Sequence, residues 1–199
     1  HYSTAHIAPL LDDNQLQGFM AITRDITDQK LAESKIRDSE QKYRTLFERA
    51  NDAIFLMKDG FFIECNQLTY KMFACEREDV IGKRPSEFSP ERQPEGMLSS
   101  ELAPRKIEIA LKDGSNTFEW KHKRLDGTLF DAEVSLSRLK IGEEVYLQAI
   151  VRDISFRKQA EQSLKESEQR YKMLADATRE AIFITRKGYC VDANQTASD

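Results

Sequence analysis

Cysteine and histidine are scarce in this 199-residue chain, and their scarcity removes several chemistries. The three cysteines, Cys65, Cys75 and Cys190, are odd in number and lack metal-ligand spacing, so they read as reduced thiols of a cytoplasmic domain. The three histidines are His1, His6 and His122, and none sits in the His-Glu helix context that phosphorylation needs. There is no nucleotide-binding glycine loop and no Gly-Gly-Asp/Glu-Glu-Phe stretch, so no enzymatic activity is expected within residues 1–199. No apolar run approaches the roughly 18 residues of a membrane span, and no charged-then-apolar leader opens the chain. Nor is there an excess of one charge. Thirty Lys and Arg face 34 Asp and Glu, without a long basic tract, which argues against a nucleic-acid partner. The first residue is His1, not Met, which predicts a fragment of a longer protein.

What the chain does have is a repeat. Asp25-Ile26-Thr27 returns as Asp153-Ile154-Ser155, 128 positions later. Ser39-Glu40-Gln41-Lys42-Tyr43 returns at the same interval as Ser167-Glu168-Gln169-Arg170-Tyr171, and Ala53-Ile54-Phe55 as Ala181-Ile182-Phe183. Gly60 matches Gly188, and Asn66-Gln67 matches Asn194-Gln195, with no gap needed from 25 to 67. A period of 128 is too long for a solenoid unit and suits a domain plus a linker. The expected organisation is therefore the C-terminal strands of a preceding copy (1–27), a linker helix (28–50), a whole domain (51–155), a second linker helix (156–178) and the N-terminal strands of a following copy (179–199).

Residues 28–50 are rich in helix formers and free of Gly and Pro. Ile36, Tyr43 and Leu46 make a heptad-like seam, matched by Leu164, Tyr171 and Leu174 in the second linker. Thr27 and Ser155 stand where a helix wants an N-cap. Ala53–Met57 and Phe61–Cys65 alternate as strands around a Lys58-Asp59-Gly60 turn. Helices follow from about Asn66, with Leu68, Met72 and Phe73 on one face, and at Glu78–Ile81. A longer helix spans about 100–112, burying Ile107, Ala110 and Leu111, with Pro104 in its first turn or at its start. Strands Thr117–Lys123, Phe130–Leu136 and Val145–Val151 close the unit, the last apolar on both faces. The expectation is an α+β fold, a five-stranded antiparallel sheet with short helices on one face.

Four stretches together resemble the PAS domain in its S-box form, across residues 40–156. They are Glu40-Gln41-Lys42-Tyr43-Arg44-Thr45-Leu46-Phe47 with Asn51-Asp52-Ala53-Ile54, then Asp79-Val80-Ile81-Gly82-Lys83, then Trp120 with Asp126-Gly127-Thr128, and finally Asp153-Ile154-Ser155 with Arg157-Lys158. The resemblance implies a sheet with its first and last strands side by side in the centre. It implies a sensory, relay and dimerisation module of a multi-PAS signalling protein, foremost a sensor histidine kinase in a two-component phosphorelay. A ligand-free scaffold and the sensor region of a diguanylate cyclase are the alternatives. It further implies a homodimer through the linker helices and PAS–PAS contacts.

Asn66, Trp120, Tyr146 and Gln148 are the candidates to line a pocket, with capping the first reading for Asn66 and core packing for Trp120. A small organic ligand would suit such a pocket. Haem and flavin are not expected: the 100–112 helix has no His, and Cys75 lacks the Asn-Cys-Arg-Phe context of photoactive relatives. His122 reads as a packed or surface histidine. Asp153 and Ser155, with Asp25 and Thr27 in the preceding copy, are the expected relay residues, Asp153 pairing with Arg152 or Arg157.

Overall fold

A computed structural model describes residues 1–12, 15–177, 180–187 and 189–197. Gly188, matched above to Gly60, lies outside them.

The chain begins with a hairpin, β1 (Ser3–Asp12) and β2 (Gln15–Asp25), followed by helix α1 (Thr27–Glu48). The central unit runs through β3 (Ala53–Lys58), β4 (Phe61–Cys65), α2 (Gln67–Phe73), α3 (Arg77–Val80), a 3₁₀ turn (Pro85–Phe88), α4 (Ser99–Asp113), β5 (Ser115–Lys123), β6 (Leu129–Ile141) and β7 (Glu144–Asp153). Helix α5 (Ser155–Ala177) leads to a second hairpin, β8 (Phe183–Arg186) and β9 (Tyr189–Ala193).

Five strands form one antiparallel sheet in the order β4-β3-β7-β6-β5, so the first and last strands of the unit are neighbours at its centre. Alternation places Ala53, Phe55 and Met57 of β3, Phe130, Ala132, Val134 and Leu136 of β6, and Leu147, Ala149 and Val151 of β7 in the core. The helices α2–α4 cover that face with Phe73, Val80 and Ala110, all fully buried. Phe73 and Val80 each contribute roughly 1.5–3 kcal/mol of apolar burial. Phe73 is the hub: its ring meets Phe55, Phe88, His122 and Phe130 edge-on, with centroids 5.2–5.6 Å apart. Turn chemistry fixes the registers. Asp59 and Gly60 both have positive φ, which makes the β3–β4 connection the two-residue turn whose twist matches the strands.

Four local expectations are corrected. Pro104 falls inside α4, in its second turn, where the ring removes one donor without ending the helix. Leu111 is exposed, because the buried stripe of α4 runs through Ser99, Ala103, Ile107 and Ala110. In α2 the fully buried residues are Thr69 and Phe73, with Leu68 half-buried. Strand β7 is buried on one face only, since all covering helices pack on the other side of the sheet from Tyr146, Gln148 and Ile150.

Candidate functional site

A cavity of about 50 Å³ lies between the sheet and the helices. Phe55, Phe73, Ala103, Ile107 and Val134 supply much of its apolar wall, and Ser89, Trp120 and His122 its polar atoms. Trp120 Nε1 donates to Ser89 Oγ at 3.0 Å, and that hydroxyl donates in turn to the Pro85 carbonyl at 3.2 Å. His122 is wedged between Phe73 and Phe130, stacked on the latter with centroids 5.4 Å apart. Its Nδ1 is 3.0 Å from the Phe88 carbonyl, which can only accept, so Nδ1 carries the proton and Nε2 a lone pair. Burial pushes the His122 pKa down to about 4, and the Phe88 bond only partly offsets this. Nε2 has no protein partner, the one such buried side-chain N or O among the described residues.

The loop before α4 is tied to the sheet by Gln93. Its amide donates to Ser99 Oγ and the Lys121 carbonyl and accepts from Lys121 N–H at 2.8 Å. The thiols of Cys65 and Cys75 are buried, and desolvation raises both pKa values, Cys75 to about 11, which disfavours the thiolate at each. Among the described residues no group of three or more His, Cys, Asp or Glu is placed to hold a metal, and no helix is long and apolar enough to cross a membrane.

Of the four pocket candidates, only Trp120 lines the cavity. Tyr146 and Gln148 point to the opposite sheet face, because inward positions of β7 are the odd-numbered ones. Tyr146 instead donates to Glu144. Asn66 is fully buried and works as a clamp. Its Oδ1 accepts from Ile54 N–H (3.0 Å), Thr69 N–H (3.3 Å) and Thr69 Oγ1 (3.0 Å), while Nδ2 donates to the carbonyls of Phe47 (3.1 Å) and Asp52 (3.0 Å). It caps α2 and joins the end of α1 to the start of β3.

At the outgoing end, Asp153 Oδ1 accepts from Ser155 N–H at 2.9 Å and Oδ2 from Arg124 at 3.1 Å. Arg152 pairs with Asp52 and Arg157 lies nearer Glu119 and Glu161, so neither is the partner of Asp153. Ser155 is not a free cap: its hydroxyl accepts from Asp131 N–H at 3.1 Å, anchoring the helix start to β6. Asp131 also holds Lys121 at 2.7 Å and Lys158 at 3.5 Å; burial opposes its charge, but the two lysines prevail and hold its pKa down. In the N-terminal hairpin, Asp25 accepts from Thr27 N–H at 2.9 Å, and Thr27 Oγ1 accepts from Tyr2 N–H at 2.9 Å. Thr27 thus serves the strand and makes no cap bond to α1. The seam residues Ile36, Tyr43, Leu46, Leu164, Tyr171 and Leu174 are all exposed in the single chain.

Sequence reasoning passed over Ser89, Gln93, Ser99 and Arg124. Isolated polar residues in a proline-rich loop and at a helix start carry no periodic signal, and nothing in the sequence ties Arg124 to Asp153. His122 gave one cue, its place beside Trp120 on the inward face of an alternating strand.

A PAS domain family model matches residues 51–156, just over half of the chain. The chain is 27% identical over 195 residues to sporulation kinase E of Bacillus subtilis, covering 94% of this chain and 25% of that protein. It is 27% identical over 132 residues to the methyl sulfide methyltransferase-associated sensor of Methanosarcina acetivorans, covering 65% and 13% respectively. It thus spans a quarter or less of either relative's length. The PAS domain of an HTR-like protein from Haloarcula marismortui superposes with a TM-score of 0.52 at 25% identity, covering 63% of this chain and 99% of that one. With the sheet order and the helical layer in agreement, the chain belongs to the PAS domain family.

Proposed function

We propose that residues 51–155 are a sensing and relay module in a tandem multi-PAS protein, and that the parent is a sensor histidine kinase acting in a phosphorelay. Residues 1–27 and 179–199 are read as parts of neighbouring copies, joined by linker helices 28–50 and 156–178. The relationship to a sporulation kinase and to a sensor supports a signalling role.

One observation carries the relay reading: a continuous set of contacts from cavity wall to outgoing helix. His122 stacks on Phe130, the Arg124 guanidinium lies over Phe130 with its carbon 4.2 Å from the ring centroid, Arg124 bonds Asp153, and Asp153 bonds the first residue of α5. A shift of Phe130 moves Arg124, the cation that holds the outgoing carboxylate. The exposed seam favours a parallel dimer of linker helices as the receiver, since a narrow stripe with small and polar positions leaves two pairings close in energy.

Replacing Asp153 by Ala removes both bonds at the junction and no core contact. In the full-length protein, autophosphorylation should lose its response to the signal while the domain's unfolding free energy falls by only about 1 kcal/mol. A normal response in that variant would sink the relay.

A further inference from the structure

The contacts from His122 to Asp153 start at the cavity wall. A second set of bonds starts at the incoming helix instead. The Phe47 carbonyl, in the last turn of α1, accepts from Asn66 Nδ2 at 3.1 Å, and the same nitrogen donates to the Asp52 carbonyl at 3.0 Å. Glu48 adds a second tie, accepting from Gln67 N–H at 2.8 Å. The Asp52 carboxylate then accepts twice from Arg152, from Nε at 3.0 Å and from Nη2 at 2.7 Å. Ala53 faces Val151 in the β3–β7 ladder, so Asp52 and Arg152 stand opposite each other one step beyond it. Arg152 is followed by Asp153, which accepts from the N–H of Ser155 at the start of α5. None of these residues lines the cavity. Most exposed ion pairs fix little, because two flexible side chains must be held in one geometry. This one is a two-pronged bond to a carboxylate only 19% exposed, so it fixes one strand end against the other. Both charges recur at the interval of 128: Arg24 stands where Arg152 does, and Glu180 where Asp52 does.

We propose that Asp52 and Arg152 couple the incoming helix directly to the outgoing one, so that a movement of α1 reaches α5 with the cavity unchanged. The proposal rests on the relay reading for α5 as the receiver. Asp52 and Arg152 are positioning residues. Helix α1 acts on Asp52 through Asn66, and Arg152 acts on α5 through the strand end it shares with Asp153. The module then has two inputs, its own cavity and the helix that arrives from the preceding copy.

The test breaks α1 and reads α5 in the whole chain. Glu40 is exposed, with Arg44 as its partner, and Glu40→Pro interrupts the helix ahead of Phe47. Amide exchange over Lys158–Glu161, the first hydrogen-bonded turn of α5, should quicken at least about threefold, with β5 and β6 as the unmoved reference. Arg152→Gln should abolish that response. Asp52→Asn, which keeps the backbone bond to Asn66, makes the same break should the first variant fail to fold. A bridge that is only structural would change the baseline exchange in these variants and leave the response to the proline intact. Arg124→Gln cuts the route from the cavity wall and should keep the response. No response in the native chain, or one that survives loss of the Asp52–Arg152 pair, would overturn the proposal. Loss of the response in Arg124→Gln would also overturn it, by routing the movement through the cavity wall, and would leave the relay through Asp153 standing.

Discussion

The hairpins β3–β4 and β8–β9 share one design and differ in surroundings. Their registers are identical at an offset of 128: Phe55 pairs Cys65 as Phe183 pairs Ala193, and Lys58 pairs Phe61 as Arg186 pairs Tyr189. Each carries its irregularity at the same step, Leu56/Met57 and Ile184/Thr185. Each is held by the same clamp. Asn194 accepts from Ile182 N–H at 2.9 Å and donates to the carbonyls of Ala175 and Glu180, the counterparts of Phe47 and Asp52. Yet β3 alternates buried and half-buried residues, while the described residues of β8 and β9 are all exposed. Pairing, bulge and helix attachment are therefore encoded locally. Burial is not: it comes from β7 beside β3 and from the helices above it. The outgoing junction repeats the lesson, since Asp25 accepts from Thr27 N–H as Asp153 does from Ser155 N–H, and Thr27 Oγ1 accepts from a backbone N–H as Ser155 Oγ does, on a hairpin with exposed Ile7, Phe19 and Ile22.

The comparison breaks most sharply at the clamp. Asn66→Ala orphans Ile54 N–H and the carbonyls of Phe47 and Asp52, each worth about 1–3 kcal/mol when desolvated, while Thr69 N–H keeps its bond to the carbonyl of residue 66. We expect urea denaturation of the chain to lose about 4 kcal/mol for Asn66→Ala, with the main transition unmoved by Asn194→Ala. Equal losses would mean that the second hairpin is part of one cooperative unit with the domain.

Acid sharpens the same contrast. The domain's core contains a histidine, and the hairpin β1–β2 has His6 exposed. The folded-state pKa of His122 lies near 4, below the ordinary 6.5, so the unfolded chain binds more protons between those values. Its contribution to stability is complete above about pH 6.5 and is lost as pH falls towards 4. That loss approaches about 3 kcal/mol at roughly 1.4 kcal/mol per unit. Denaturation at pH 7 and pH 4.5 should show this slope in the native chain, and His122→Phe should remove it. A slope that persists in the variant would assign the acid sensitivity to the carboxylates.

The sequence disclosed the fold well because its signals were periodic or repeated: alternation in β5 and β6, positive-φ turn residues at Asp59-Gly60, and a domain-length interval. It disclosed the site poorly because the site depends on facing. Choosing Gln148 over Ala149 is an error of one residue in a strand with period two, and β7 read as apolar throughout, so nothing in it marked the inward side. Asp153 was found from its motif, but its partner Arg124 lies 29 positions away across a turn, a distance at which no spacing rule operates. Asn66 was legible as a cap, and its reach to α1 was not, since backbone carbonyls leave no trace in composition.

The smallest effect separates the two turns. Asp59 and Lys187 occupy the same left-handed position, with φ of 52° and 53°. A short polar side chain tolerates that region through local hydrogen bonding, whereas lysine gains nothing there. Lys187→Asn should favour the β8–β9 turn by about 0.5 kcal/mol, with no core to mask the gain. Amide exchange across Phe183–Arg186 should slow by roughly twofold, following from that energy at room temperature, and the global midpoint should stay fixed. Unchanged exchange in the variant would show that opening of this hairpin is governed by its exposed strand faces and not by its turn. That outcome would extend to turn chemistry the conclusion the burial pattern already supports for packing: the same local code has different consequences in the whole copy and in the partial one.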